Sequence, residues 1–438
     1  MRAFTRPESL IAWAALLTAI GSPFLFGAVE RTVWLPLCVF WLIAGLVQSQ
    51  LTSNRDTLRP VLLLHALFAI QLIPLPASIL RAISPGSYAA HFLPDRGAFL
   101  RPLSVSPSAT SESWLYFAAM LGLFIALRPL REHRRPALFG LIAGLLALAV
   151  EGFLQSRSTH PYWLLGSVPP VVPNGLETSI FGPYFNRNHF ATLMALGASI
   201  SCGVAASYYA DAQSLSRLAS SSSALPRTIM LVGCAGFFSM ACAATGSRSG
   251  LFALMAGVSA VGMRRIPWRW VMAGLSGSGV LLLLAGPFVL ERLLKLDFVA
   301  SRLAPWADMT TLVRFFPIFG SGIGTFSVAY WPYQRNVPYE FWIHAHNEYL
   351  QWLIEAGVVG VVALTLTIRS VRAQTAFHAH GDAGAAALVV FAAQSLLDFP
   401  LRVPANAAIL AAVLALTLAA RSEDPVVPEP GEKKWPTR

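Results

Sequence analysis

The chain has 438 residues, 55% hydrophobic and only 12% charged, with a formal net charge of +11 and a mean hydropathy of +0.59. Soluble domains carry about 25% charged residues, so the composition excludes a string of water-soluble domains, and its apolar content excludes a disordered chain. A disulfide scaffold is excluded too, because Cys38, Cys202, Cys234 and Cys242 all sit in apolar runs, where a thiol behaves as a small hydrophobe.

A spanning helix needs about 20 mostly apolar residues. In chain order such segments fall near 9–28, 33–49, 59–75, 113–128, 136–155, 188–209, 228–246, 249–263, 270–290, 348–368, 383–397 and 405–420. The expected fold is an all-α polytopic membrane protein of about twelve transmembrane helices. The eighth and eleventh segments are short and are expected to tilt or pair as a hairpin. The first follows Arg2 and Arg6, but no small-x-small cleavage site follows it, so it is expected to be a retained helix.

The arginines orient the bundle. With a cytoplasmic N-terminus, the short inside loops hold Arg55 and Arg59, then Arg128, Arg131, Arg134 and Arg135, then Arg217 and Arg227, then Arg264, Arg265 and Arg269, and finally Arg369 and Arg372. Short positive loops stay inside, so both termini are expected in the cytoplasm. The positive charge then reports topology and gives no reason to expect nucleic acid as a partner. Residues 1–420 are expected to form one transmembrane domain, with 421–438, rich in Pro and charge, a disordered cytoplasmic tail.

Three outer loops are substantial: 76–112, 156–187 and 291–347. In the last, between the ninth and tenth segments, Trp306, Met309, Val313 and Phe316 recur at helical spacing. They predict a partly helical loop with an amphipathic stretch lying on the membrane face. Pro317 ends that stretch, and Gly320, Gly322 and Gly324 make a tight turn that is not a dinucleotide fingerprint, since no βαβ unit surrounds it. Loops this long are usually functional.

Four clusters can carry chemistry. "GPYFNRNHF" (182–190) opens the sixth segment with Asn186, Arg187, Asn188 and His189, suited either to a sugar or head group or to capping the helix. Arg248, in "TGSRSG", stands at the outer junction of the seventh and eighth segments among small residues. It either snorkels to head groups or binds an anion with its bidentate fork. Arg302, Arg314 and Arg335 add positive charge in the long loop.

In "WIHAHNEYLQWLIEAG" (342–357) Asn347 is a good N-cap for a helix beginning at Glu348. His346 then sits by the positive end of a helix dipole. That field disfavours imidazolium and leaves a neutral ring able to accept a proton; the plainer reading is a capping or interfacial histidine. His344, His346 and Glu348 alternate, but Glu348 belongs to the helix, so the three are not expected to converge on a metal. Asp398, in "SLLDFPLR", is expected to pair with Arg402 or an outer-loop arginine, and Glu151 is the only plainly intramembrane acid.

Taken together, "FNRNHFA", "GSRSG", "SRLAPW…PIFGSGIGTF…HAHNEYLQWLIEAGVVG" and "SLLDFPLRVPAN", in this order over residues 185–406, resemble the O-antigen ligase and polymerase superfamily of bacterial inner-membrane glycosyltransferases. The resemblance implies transfer of a glycan from undecaprenyl pyrophosphate to an acceptor hydroxyl on the periplasmic face, without a metal or other cofactor. It makes His346 the base and Arg248 and Arg302 the pyrophosphate ligands. Asn186, Arg187, Asn188, His344, Asn347 and Tyr349 remain candidates for substrate contact, with the role of His344 open.

The chemistry agrees. A hydroxyl needs a base, worth about 10²–10⁴-fold in rate, and a departing pyrophosphate needs positive charge. Direct displacement inverts the anomeric centre. The expected partners are the lipid-linked donor, membrane lipid and an acceptor. Ligation to lipid A–core leads, with O-antigen or exopolysaccharide polymerisation at the same site next. Glycan transfer to protein and secondary transport are more distant readings. A transporter would show paired interrupted helices in both halves, whereas here the candidates crowd into the second half.

Overall fold

The computed structural model describes residues 7–51, 61–92, 99–156, 180–215, 224–265, 297–335, 342–377 and 381–420. The ninth predicted span, most of the 156–187 loop, the inside-loop arginines Arg55, Arg59, Arg217 and Arg269, and the tail from Arg421 lie outside these residues.

Fifteen α-helices, α1–α15, run through the described residues: Pro7–Gly21, Arg31–Leu51, Leu62–Leu72, Ala77–Ile83, Pro85–Phe92, Pro107–Ala126, Arg134–Ser156, Arg187–Leu215, Ala224–Ala244, Arg248–Arg265, Asp297–Phe315, Phe326–Tyr330, Glu348–Gln374, Gly381–Ser395 and Pro404–Thr417. Helices fall on every described candidate span. Six of them (α2, α6, α7, α8, α9 and α13) are long and apolar enough to cross a membrane. The first and third predicted spans are shorter than expected. α1 gives way after Gly21 to two 3₁₀ turns, and α3 has 11 residues.

The bundle turns its apolar residues outward as well as inward. Leu225, Ile229, Val232 and Met240 on α9, and Val358, Val361, Val362 and Leu366 on α13, are exposed. A belt of this kind is unfavourable in water and favourable against hydrocarbon.

α8 is the most buried of the membrane-length helices and packs along α9, α10 and α14. Its sequence, "RNHFATLMALGASISCGVAASYY", explains this: small residues let backbones approach closely where no hydrophobic force between helices operates. At Gly203 a side chain would lie 2.5 Å from the Ala383 backbone nitrogen of α14.

α13 is broken. Gly357 takes φ 62° and ψ −167°, a region open essentially to glycine alone. The carbonyls of Ile354 and Glu355, released from the helix, accept from Ser321 and Gly322 (2.9 and 3.0 Å). The amides of Val358 and Val359 donate to Pro317 and Ile318 (3.0 Å each). The predicted Gly-rich turn is thus inserted into the helix, exchanging four hydrogen bonds with it. Gln71 of α3 clamps the insertion, donating to the carbonyls of Phe319 and Glu355 (2.7 and 2.8 Å) and accepting from the Ile323 amide.

The amphipathic stretch forms as α11 and stops before Pro317. Its apolar face is covered by protein, correcting the expected membrane-surface placement. Met309, Leu312 and Phe316 pack with Phe326, Tyr330, Ala345 and Ile354. Burial against α12 and α13 satisfies the same apolar stripe that lipid would have covered.

Candidate functional site

The turn after α14 carries Asp398, fully buried, and the start of α8 and the turn before α13 converge on it. Its Oδ2 accepts from Nδ2 of Asn188 at the start of α8 (2.7 Å). Its Oδ1 lies 3.2 Å from Nδ1 of His346 and 3.7 Å from Nε2 of His189, and accepts from the Phe399 amide at 3.0 Å. Of the partners expected for Asp398, Arg402 is not one, whereas the outer-loop Arg302 stands close enough to feel its charge. Arg402 instead binds Glu355 (2.7 Å) and lies 3.6 Å from Glu348, both on α13. Glu355 is a second buried acid on a membrane-length helix, so Glu151 of α7 is not alone.

Burial alone raises a carboxyl's pKa, but the imidazoles of His189 and His346 outweigh it here and hold Asp398 well below the usual carboxylate range. A carboxylate only accepts. In the neutral ring the proton of His346 therefore sits on Nδ1 and the lone pair on Nε2. His346 has φ 50°, unusual for a residue with a side chain. Asn347 holds that turn, capping α13 by accepting from the Leu350 amide at 3.0 Å as predicted.

Arg302 of α11 is nearly buried. It donates to the Leu397 carbonyl, and its Nη2 lies 3.5 Å from Nδ1 of His346. Burial lowers its pKa, and Asp398 opposes the shift. A guanidinium, a histidine and a carboxylate therefore stand together, bringing two of the sequence candidates, His346 and Arg302, side by side with Asp398 between them.

His344 takes a different place. Gln351 donates to its Nδ1 (3.2 Å), which fixes the other tautomer, and the same Nε2 donates to Glu355 (3.0 Å). Burial, with Arg402, His346 and His189 nearby, holds His344 well below the usual imidazole range, so it is neutral. His344, His189 and His346 surround the Phe399 ring at centroid distances of 4.2, 4.7 and 4.9 Å.

The remaining predicted residues divide. Arg248 begins α10, half-buried, between Ser247 and Ser249. Arg187 begins α8, half-buried. Asn186 accepts from the Asn188 amide (2.9 Å), and the Asn188 side chain is engaged at both ends, so these two act as helix and site supports. The Tyr349 hydroxyl donates to the Ala392 carbonyl (2.9 Å) on a half-exposed ring. Asp398, Gln351 and Glu355 were not among the expected site residues, and His189 was expected only within the polar cluster that opens the sixth segment. The available signal was a polar group in a strongly apolar run, because such groups stay buried only with partners.

Helices of membrane length thus surround a buried aspartate that holds a half-buried histidine beside an arginine, the arrangement of a helical membrane protein. Residues 233–365 match the family model described as O-antigen ligase, which supports a relation to the O-antigen ligase superfamily and its ligase- or polymerase-type glycosyltransferases. The match contains Arg248, Arg302, His344 and His346; Asn188 and Asp398 lie on either side of it. No curated protein matches the chain.

Proposed function

We propose that this protein transfers a glycan from undecaprenyl pyrophosphate to an acceptor hydroxyl, with lipid A–core as the acceptor, at the periplasmic face of the bacterial inner membrane. In this reading the bundle has about twelve spans and both termini in the cytoplasm. Its transmembrane domain covers residues 1–420.

The observation that carries the reading is the His346–Asp398 pair beside Arg302. Nε2 of His346 takes the acceptor proton as the hydroxyl oxygen attacks the anomeric carbon. The carbon–oxygen bond to the pyrophosphate breaks with inversion, and the polyprenyl pyrophosphate leaves with the bonding electrons. Asp398 steadies the imidazolium so formed and keeps the ring in the productive tautomer. Arg302 and Arg248 supply positive charge where the leaving group gathers negative charge. Such donors act more strongly in a site that excludes water.

The test is complementation of a strain lacking its own ligase, reading lipopolysaccharide on a gel. Long chains on lipid A–core are expected with the wild type and not with His346→Ala. Long chains left on undecaprenol would overturn ligation in favour of polymerisation.

A further inference from the structure

We propose that Asn188, Ser247, Ser249 and Gln394 are positioning residues that tie the Arg248 hairpin to the His346–Asp398 pair through one closed ring of hydrogen bonds. This rests on the glycan-transfer reading and assigns the ring the task of fixing an arginine relative to the base.

The ring is traced atom by atom. Asp398 Oδ2 accepts from Asn188 Nδ2 (2.7 Å), and Asn188 Oδ1 accepts from the Ser247 hydroxyl (2.7 Å). Ser247 Oγ lies 3.3 Å from Ser249 Oγ, which accepts from Gln394 Nε2 (3.1 Å). The Gln394 carbonyl accepts from the Asp398 amide (2.9 Å), closing the circuit. Ser247, Ser249, Gln394 and Asp398 are all buried.

The donors run in one direction. The Asp398 carboxylate only accepts, which turns the Asn188 amide nitrogen toward it and the amide oxygen toward Ser247. Ser247 spends its single proton on that oxygen, so Ser249 donates to Ser247 and receives in turn from Gln394. Each link follows from the one before, so the loss of a single hydroxyl unsettles the rest.

Arg248 lies between the two serines, so its backbone is pinned on both sides by ring members. Gly246 turns the chain into the hairpin at φ 63°. A side chain at Gly250 would meet the Ala191 Cβ of α8 at 2.4 Å, so the hairpin seats directly against the helix that carries Asn188. A purely structural polar patch would stabilise the fold without influencing the Asp398 charge. The ring delivers a donor to that carboxylate.

The experiment measures transfer from purified undecaprenyl-pyrophosphate-linked O-antigen to lipid A–core by the full-length protein in proteoliposomes, against pH and donor concentration. Asn188→Ala and Ser247→Ala should each lower kcat about 10–100-fold, as a misplacement near 1 Å does, with donor KM little changed. The acid limb of the pH–rate profile, set by the base, should move upward, because the Asp398 charge, which also faces His189 and Arg302, is offset by one donor fewer and favours the His346 imidazolium more. Ser247→Thr keeps the hydroxyl and should restore both. The double variant should be no worse than the poorer single one. Asn188→Asp, nearly isosteric, faces one carboxylate with another and should move the acid limb further. Wild-type rates and acid limbs in Asn188→Asp and Ser247→Ala, or equal losses in Ser247→Thr and Ser247→Ala, would overturn the ring alone. A wild type that transfers nothing from this donor overturns the parent reading, and the ring with it.

Discussion

Nδ1 of His346 lies 3.2 Å from Oδ1 of Asp398, and this one contact decides which nitrogen of the histidine is basic. The sequence offered only a helix N-terminus beside this ring; the fold adds a buried carboxylate as its direct partner.

Asp398→Asn should therefore remove most of the base's contribution while leaving the fold in place. An amide nitrogen facing Nδ1 favours the tautomer with the proton on Nε2. Transfer measured in isolated membranes should fall by about 10²–10⁴-fold, the usual worth of a positioned base. A rate within a few-fold of wild type would exclude Asp398 from the mechanism.

Arg302→Lys separates charge from geometry. The ammonium cannot both bind the Leu397 carbonyl and present a planar fork to an anion. Donor KM should rise about 10–100-fold, equivalent to losing one hydrogen bond to a charged group, with a smaller change in kcat. Titration of the lipid-linked donor against initial rate reads the difference. An unchanged KM would take Arg302 out of donor binding.

His344 gives the protein an acid-sensitive element. Its folded pKa is depressed, so the unfolded chain takes up a proton first as pH falls below about 6.5. Stability is therefore full above that pH and declines beneath it. Thermal midpoints recorded in detergent between about pH 8 and pH 5 should fall toward acid with wild type. The fall should be shallower for His344→Gln, and identical slopes would show that the ring is not held neutral. Asp398 acts lower. Its depressed pKa keeps its contribution present above the usual carboxylate range, and that contribution is lost only as pH falls well below it.

Arg402 holds two acids of α13 to the turn after Asp398, with Glu355 fully buried. Arg402→Leu strands those acids and should cost about 3–5 kcal/mol of stability, as breaking a buried pair does. Arg402→Leu combined with Glu355→Leu should recover part of that loss. A midpoint equal to wild type for the single variant would show that the pair contributes nothing.

Gly357→Ala tests the helix break. A side chain there meets the Ile318 carbonyl oxygen at 2.3 Å on a backbone with φ 62° and ψ −167°. The strained backbone alone is worth about 1–3 kcal/mol, and the inserted turn must also shift. Protease sensitivity of the Pro317–Ile323 turn should increase, and an unchanged digestion pattern would contradict the four-bond exchange.

Much of the architecture was legible because hydropathy over about 20 residues is a local property. α2, α6, α7, α8, α9 and α13 appear where apolar runs predict them, and Asn347 caps α13 as its side chain requires. His346 and Arg302 were legible as candidates because a histidine directly before a helix cap and an arginine in an apolar context both stand out along the chain. α11 was legible as a helix, but its surroundings were not, since one apolar stripe satisfies lipid or protein equally well.

By itself, then, the sequence determined the apolar helical spans, the resemblance to a superfamily and the candidate side chains, since each depends on composition or on neighbours along the chain. Tertiary structure decided the rest. It set Asp398 beside His346, gave Arg402 to Glu355, joined the Asn188 side chain to Asp398 and Ser247, and broke α13 at Gly357. The physical reason is common to all four. A buried polar group takes whichever partner packing brings within about 3 Å, and residues 188, 247, 346 and 398 meet only when the chain has folded.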